Sequence, residues 1–137
     1  MQNVANKYLK DLVLDNPASI ELIKDVENNL GIKFPKDYID FMLLSNGCEG
    51  SIGENYIRFW KIEEIIQYNE EYEVQAYTPD IIIFGSNGGG EAFGFDMRNK
   101  NIKYIMIPFM FDYDDIIDQG YLLNDFFERL YTDSIFE

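Results

Sequence analysis

Carboxylates are the residues of this chain best placed to act on something else. Glu63, Glu64, Glu70, Glu71 and Glu73 fall in one stretch, and Asp112, Asp114, Asp115 and Asp118 in another. Paired carboxylates can serve as acid and base on a glycoside, and runs of them can hold calcium. Neither chemistry fits the spacing. Adjacent glutamates on a short helix point along different azimuths and define no sugar subsite. The run Asp112-Tyr113-Asp114-Asp115-Ile116-Ile117-Asp118 lacks the central glycine and terminal bidentate glutamate of a calcium loop. No catalytic, cofactor-binding or metal-binding residue is assigned, and both segments are expected to be solvated acidic surface.

The chain contains no histidine, which removes Ser/His/Asp and Cys/His nucleophilic catalysis, histidine-ligated zinc and histidine general bases. Its single cysteine, Cys48, sits in Asn46-Gly47-Cys48-Glu49-Gly50 with no basic neighbour. It reads as a small loop or core thiol, and no intramolecular disulfide can form.

The other chemical candidate is Ile83 to Asp96, where Gly85, Gly88, Gly89, Gly90 and Gly94 lie between two apolar runs. Glycines after a strand are what phosphate-binding loops look like, but those loops place a lysine and a hydroxyl, or a helix N-terminus, directly after the glycines. Here the glycines lead into Glu91-Ala92-Phe93-Gly94-Phe95-Asp96, strand-like and carrying carboxylates that repel phosphate. The block reads as a hairpin in which Asn87-Gly88 supplies positive φ angles and Gly94 allows close approach of a neighbouring strand.

Net charge is −14 and unevenly spread. Residues 1–61 hold nine Asp and Glu against seven Lys and Arg, and residues 62–137 hold sixteen against four. Such a bias keeps a protein soluble, repels nucleic acid and anionic lipid, and favours a positively charged partner. Residues 1–10 have no signal-peptide apolar region, and no apolar run is long enough to span a bilayer, so a cytoplasmic protein is expected. Exposed tyrosines among acidic residues suit a protein interface.

These residues need elements to position them. Ser19 to Leu30 reads as a helix with Ser19 as N-cap, apolar residues at helical spacing and Gly31 as the stop. Residues Val4 to Leu14 read as a shorter helix before it. Phe34-Pro35 starts another, running toward Asn46-Gly47. Gly47 to Gly53 reads as a loop, Tyr56 to Trp60 as a strand, Ile62 to Tyr68 as a short acidic helix, and Asn69 to Pro79 as a loop. Strands follow at Ile81–Phe84, Ala92–Met97 and Ile102–Ile107, and Leu122 to Tyr131 closes the chain as a helix. Short turns make consecutive strands antiparallel. The expectation is one α+β domain over residues 1–137, a mainly antiparallel sheet packed by N-terminal helices and a C-terminal helix.

Taken in order, Phe34-Pro35-Lys36-Asp37-Tyr38-Ile39-Asp40-Phe41-Met42, then Ser45-Asn46-Gly47, then Trp60 before Ile62-Glu63-Glu64-Ile65, then the glycine block through Asp96 resemble the Smi/Knr-like domains of the SUKH superfamily. Phe34 and Phe84 stand where those domains usually carry leucine and isoleucine. The resemblance implies an α+β domain and, for most bacterial members, a non-enzymatic immunity protein that binds and neutralises a cognate polymorphic toxin, often a nuclease. Fungal relatives regulate cell-wall synthesis by protein interactions, which gives the alternative of a scaffold or regulator. A nuclease toxin is cationic where it holds its substrate. The expected partner-binding face is therefore acidic, drawing on the nine carboxylates named at the outset.

Overall fold

In the computed structural model, which describes residues 6–137, a seven-stranded antiparallel sheet is laid down in simple sequence order. The chain runs α1 (Asn6–Leu9), β1 (Leu12–Leu14), α2 (Ile20–Leu30), α3 (Lys36–Leu44), β2 (Cys48–Ile52) and β3 (Asn55–Phe59). A 3₁₀ turn (Ile62–Glu64) leads into α4 (Ile65–Glu71) and α5 (Val74–Tyr77). Then come β4 (Ile81–Ser86), β5 (Glu91–Asp96), β6 (Lys103–Pro108), a second 3₁₀ turn (Tyr113–Asp115), β7 (Ile117–Asp118) and α6 (Leu123–Tyr131). This is the α+β architecture expected.

Helix α2 starts and stops where its sequence dictates. Ser19 Oγ accepts from Leu22 N–H at 3.1 Å, and Gly31 takes the left-handed conformation at φ 70°, returning its N–H to Glu27. The buried Glu27 carboxylate then accepts from Phe34 N–H at 2.8 Å, fixing the turn into α3. The inward stripe holds Ile23, Val26, Tyr38, Phe41 and Met42, while Ile20 remains 41% exposed.

The register sorts every strand residue to one of two faces. One transverse row reads Leu14, Cys48, Phe59, Gly85, Phe93, Met106, Ile117. This first face meets α2, α3 and α6 in a core rich in aromatic rings: Phe59, Phe84, Phe93, Phe95, Tyr104 and Phe126 all lie within it. The adjacent row reads Val13, Glu49, Arg58, Ser86, Ala92, Ile107 and belongs to the second face. There a smaller core of Trp60, Val74, Ile81, Ile83, Ala92, Ile105, Ile107 and Phe111 is capped by α4, α5 and the segment 109–116. The cap covers only the β4–β6 half. Val13, Glu49, Tyr56 and Arg58 on β1–β3 stay open to solvent.

Three expectations need correction. The helix placed at Val4 to Leu14 is one short turn followed by strand β1, with Val4 and Ala5 outside the described residues; Leu12 pairs with Gly50 and is drawn into the first core. The loop placed at Gly47 to Gly53 contains β2, which has little intrinsic strand preference and owes its form to full pairing with β3. The loop placed at Asn69 to Pro79 holds the end of α4 and all of α5.

Candidate protein-binding face

Strand β3 pairs with β4 at only two positions, Arg58 with Ser86 and Phe59 with Gly85. Trp60 N–H still reaches Phe84 O at 3.0 Å, and beyond that the main chain of β4 needs other partners. Side chains of α4 and α5 supply them. The buried Asn69 amide donates to Ile83 O at 2.9 Å and accepts from Ile83 N–H at 3.0 Å, much as a neighbouring strand would. Gln75 Nε2 donates to Ile81 O at 2.7 Å and to Asn69 Oδ1 at 3.1 Å. Trp60 stacks on Tyr68 with ring centroids 4.3 Å apart. Helix α4 is thus held to the sheet by polar groups that satisfy the sheet's own backbone.

This attachment decides where the acidic residues lie. Glu70, Glu71 and Glu73 flank Tyr72, whose ring packs on Phe109 at 4.7 Å and lies 6.4 Å from Phe111. Asp112, Asp114 and Asp115 flank Tyr113, which packs on the same second core as Phe111, Val74 and Ile116. The two segments, separate in sequence, form one layer over the second face, and these six carboxylate residues are exposed. Both segments turn through a left-handed residue, Glu73 at φ 54° and Phe111 at φ 52°. Non-glycine residues are uncommon there, and such sites cluster where a chain is shaped for function.

The other three carboxylates sit apart from that group. Glu63 Oε1 accepts from Asn46 Nδ2 at 2.8 Å, and Asn46 Oδ1 accepts from Ile62 N–H at 2.8 Å. Glu64 caps the first 3₁₀ turn by accepting from Lys61 N–H at 3.0 Å. Glu63 locks the β3–α4 junction onto the Ser45-Asn46-Gly47 turn, and Glu64 closes the junction on itself. Asp118, on the edge strand, pairs with Lys103 Nζ at 3.1 Å. Beside it Arg98 grips Asp96 at 2.7 Å and lies over the Tyr113 ring at 4.7 Å. Burial pushes the Asp96 carboxyl up, but the Arg98 hydrogen bonds and charge outweigh it and hold it below the usual carboxylate value. Among the described residues no three His, Cys, Asp or Glu side chains are grouped to hold a metal ion.

The glycine block is the β4–β5 hairpin, and the loop amides of Asn87, Gly88, Gly89 and Glu91 are bonded internally. Asn87 Oδ1 accepts from Gly89 N–H at 2.9 Å and Glu91 N–H at 3.2 Å, and Ser86 Oγ accepts from Gly88 N–H at 3.3 Å. A phosphate would find no cradle there. Only Gly88 of the expected pair has a positive φ, 74°. Asn87 contributes its side chain instead, closing the turn as an Asx motif.

The sequence reading missed the open part of the same face. Tyr56, Arg58, Trp60, Tyr68, Tyr72 and Phe109 line a groove of about 300 Å³ between α4 and the glycine hairpin. Arg58 also borders a hollow of about 450 Å³ toward β1. The alternation Tyr56-Ile57-Arg58-Phe59-Trp60 already puts the three groove residues on one side. What it does not reveal is that this side stays uncovered.

Cys48 lies on the first face, buried, and burial pushes its thiol up to about 12 despite a hydrogen bond with the Phe59 backbone. No helix among the described residues is long and apolar enough to cross a membrane. The sequence is 35% identical over 103 residues to the uncharacterized protein YnaB of Bacillus subtilis (strain 168), covering 75% of this chain and 67% of that protein. The sequence profile of the SMI1/KNR4 family (SUKH-1) matches residues 17–130, a span that runs from the turn before α2 to the last turn of α6 and takes in strands β2 to β7, and the chain belongs to that family.

Proposed function

We propose that this protein is a cytoplasmic immunity protein that binds a cationic toxin domain, a nuclease by preference, and neutralises it by occupying the surface that holds the toxin's substrate. One observation carries the reading: α4 with its following turn and the 112–115 segment form a single acidic layer over one side of the sheet. A layer of one charge sign steers an oppositely charged partner and raises its association rate. Tyr72, 43% exposed, and Tyr77, 62% exposed, stand among these carboxylates and offer apolar area at low entropic cost. The protein acts by binding, without catalysis of its own. In keeping with this, the one thiol is buried and held protonated.

The test is co-purification with the product of the neighbouring gene, followed by a salt series. Reversal of Glu70, Glu71, Glu73, Asp114 and Asp115 to Lys is expected to slow association about 10- to 100-fold at low salt and to abolish protection of cells expressing the toxin. Full protection by the reversed protein would overturn the reading.

A further inference from the structure

Arg58 is out of keeping with an acidic docking layer. It is exposed at the centre of the open half of the second face. Lys7, Lys36, Lys61, Arg98 and Lys103 each find a carboxylate within the protein. Arg58 forms no ion pair with the described residues. Its cross-strand neighbour Glu49 accepts from Tyr56 Oη at 2.7 Å and keeps its charge beside Arg58 without reaching ion-pair distance.

A cationic partner settling on this face would cover Arg58 with charge of its own sign. Burying a charge that no carboxylate grips is unfavourable, so a tight complex is favoured when the partner brings an anion to this point. A planar guanidinium takes a carboxylate through two parallel hydrogen bonds. The wall formed by Trp60, Tyr68, Tyr72 and Phe109 supplies apolar surface beside it, and clusters of Arg with Trp and Tyr are where interface energy concentrates. We propose that the groove receives an Asp or Glu side chain together with an adjacent apolar or aromatic side chain from the partner's docking segment. The acid pairs with Arg58 and the apolar neighbour covers the aromatic wall. The inference rests on the toxin-binding reading only for the sign of the partner's charge; the acidic layer sets the encounter, and this contact sets the register.

The groove can be probed without the partner, using phenylacetate and its uncharged analogue phenylacetamide. Binding is followed by the fluorescence of Trp60, the sole tryptophan, and by backbone amide shifts. Phenylacetate is expected to move the signals of Tyr56, Arg58, Trp60 and Tyr72. Phenylacetamide with the native protein, and phenylacetate with Arg58→Gln, are expected to bind about ten-fold more weakly, the loss of one charge-assisted hydrogen-bonded pair. Tyr72→Ala should also weaken the acid, showing that the wall takes part. Equal binding of acid and amide, no response in the native protein, or an unchanged response in Arg58→Gln would each overturn the proposal. A protein that reads the carboxylate yet protects no cell keeps the groove's specificity and loses the toxin reading alone.

Discussion

Asp37 on α3 reaches across the first core to Tyr104 on β6, accepting from its hydroxyl at 2.5 Å, while the second carboxylate oxygen accepts from Leu123 N–H at 2.7 Å. One side chain thereby joins the N-terminal helices to the sheet and caps α6, which has no side-chain cap of its own. Asp37→Ala leaves the buried Tyr104 hydroxyl and the Leu123 amide without partners. It should cost about 2–4 kcal/mol, read as a lower urea midpoint with an unchanged slope. Asp37→Asn keeps an acceptor for Leu123 and should lose about half as much.

Asn69 gives the corresponding prediction for the second face. Asn69→Leu preserves volume but orphans Ile83 N–H and Ile83 O, which have Asn69 as their partner on the α4 side. A loss of about 2–4 kcal/mol is expected, with faster hydrogen exchange at the Ile83 amide. Toxin association should fall as well, because α4 and the turn after it carry Glu70, Glu71 and Glu73, half of the acidic layer. Undiminished binding by a folded Asn69→Leu protein would separate the layer from the polar clamp that positions it.

The clamp marks the boundary between what the sequence discloses and what it does not. Helix α2 is legible because its signals are local: an N-cap serine, a periodic stripe and a terminal glycine. The glycine hairpin is legible for the same reason. Strand β2 is not, since Cys48-Glu49-Gly50-Ser51-Ile52 becomes a strand through β3, not through its own composition. Helix α5, a single turn, has no periodicity to detect. The carboxylates were visible as residues, but their grouping depends on Asn69, Gln75 and Tyr72 folding one segment onto another. Hence the segments bearing Glu70, Glu71, Glu73, Asp112, Asp114 and Asp115 cap one core, while Glu63 and Glu64 serve the β3–α4 junction and Asp118 serves Lys103.

Cys48 should be chemically silent in the native protein. With its thiol pushed up to about 12 by burial, the reactive thiolate is scarce at mildly alkaline pH. Disulfide-exchange reagents should label it only as fast as the molecule opens, and at once in denaturant. Rapid native labelling would place Cys48 nearer the surface than the first-face packing does.

The buried tyrosines set an alkaline limit. Tyr8 is pushed up to about 12 by burial and by its hydrogen bond to Glu128. Tyr38 is raised by burial, and Tyr104 by burial and the charge of Asp37. Unfolded tyrosine titrates near 10, so the native state withholds protons that the unfolded chain releases. The stabilisation is complete below about pH 10 and is lost as pH rises through the native values, by about 1.4 kcal/mol per pH unit for each such tyrosine. Tyrosinate absorbance from these rings should appear together with loss of circular dichroism. The Tyr38 hydroxyl is buried without a partner among the described residues, so Tyr38→Phe should raise stability by about 1 kcal/mol and flatten the alkaline slope.

Within the glycine hairpin, two glycines should respond oppositely to the same substitution. A Cβ at Gly94 would stand 2.8 Å from Ile82 O, a backbone atom of the paired strand that cannot swing away. Gly94→Ala should therefore cost about 1–3 kcal/mol. A Cβ at Gly90 meets nothing within 4 Å, and the residue needs no left-handed conformation. Gly90→Ala should be neutral or stabilise by up to about 1 kcal/mol by restricting the unfolded chain. Thermal melts of the two proteins test a structural hairpin against a ligand loop. A loop shaped to close on phosphate would need its amides free at Gly89, where Asn87 instead holds the N–H at 2.9 Å. Asn87→Ala should consequently destabilise the hairpin by about 1–2 kcal/mol and leave the protein still unable to bind inorganic phosphate.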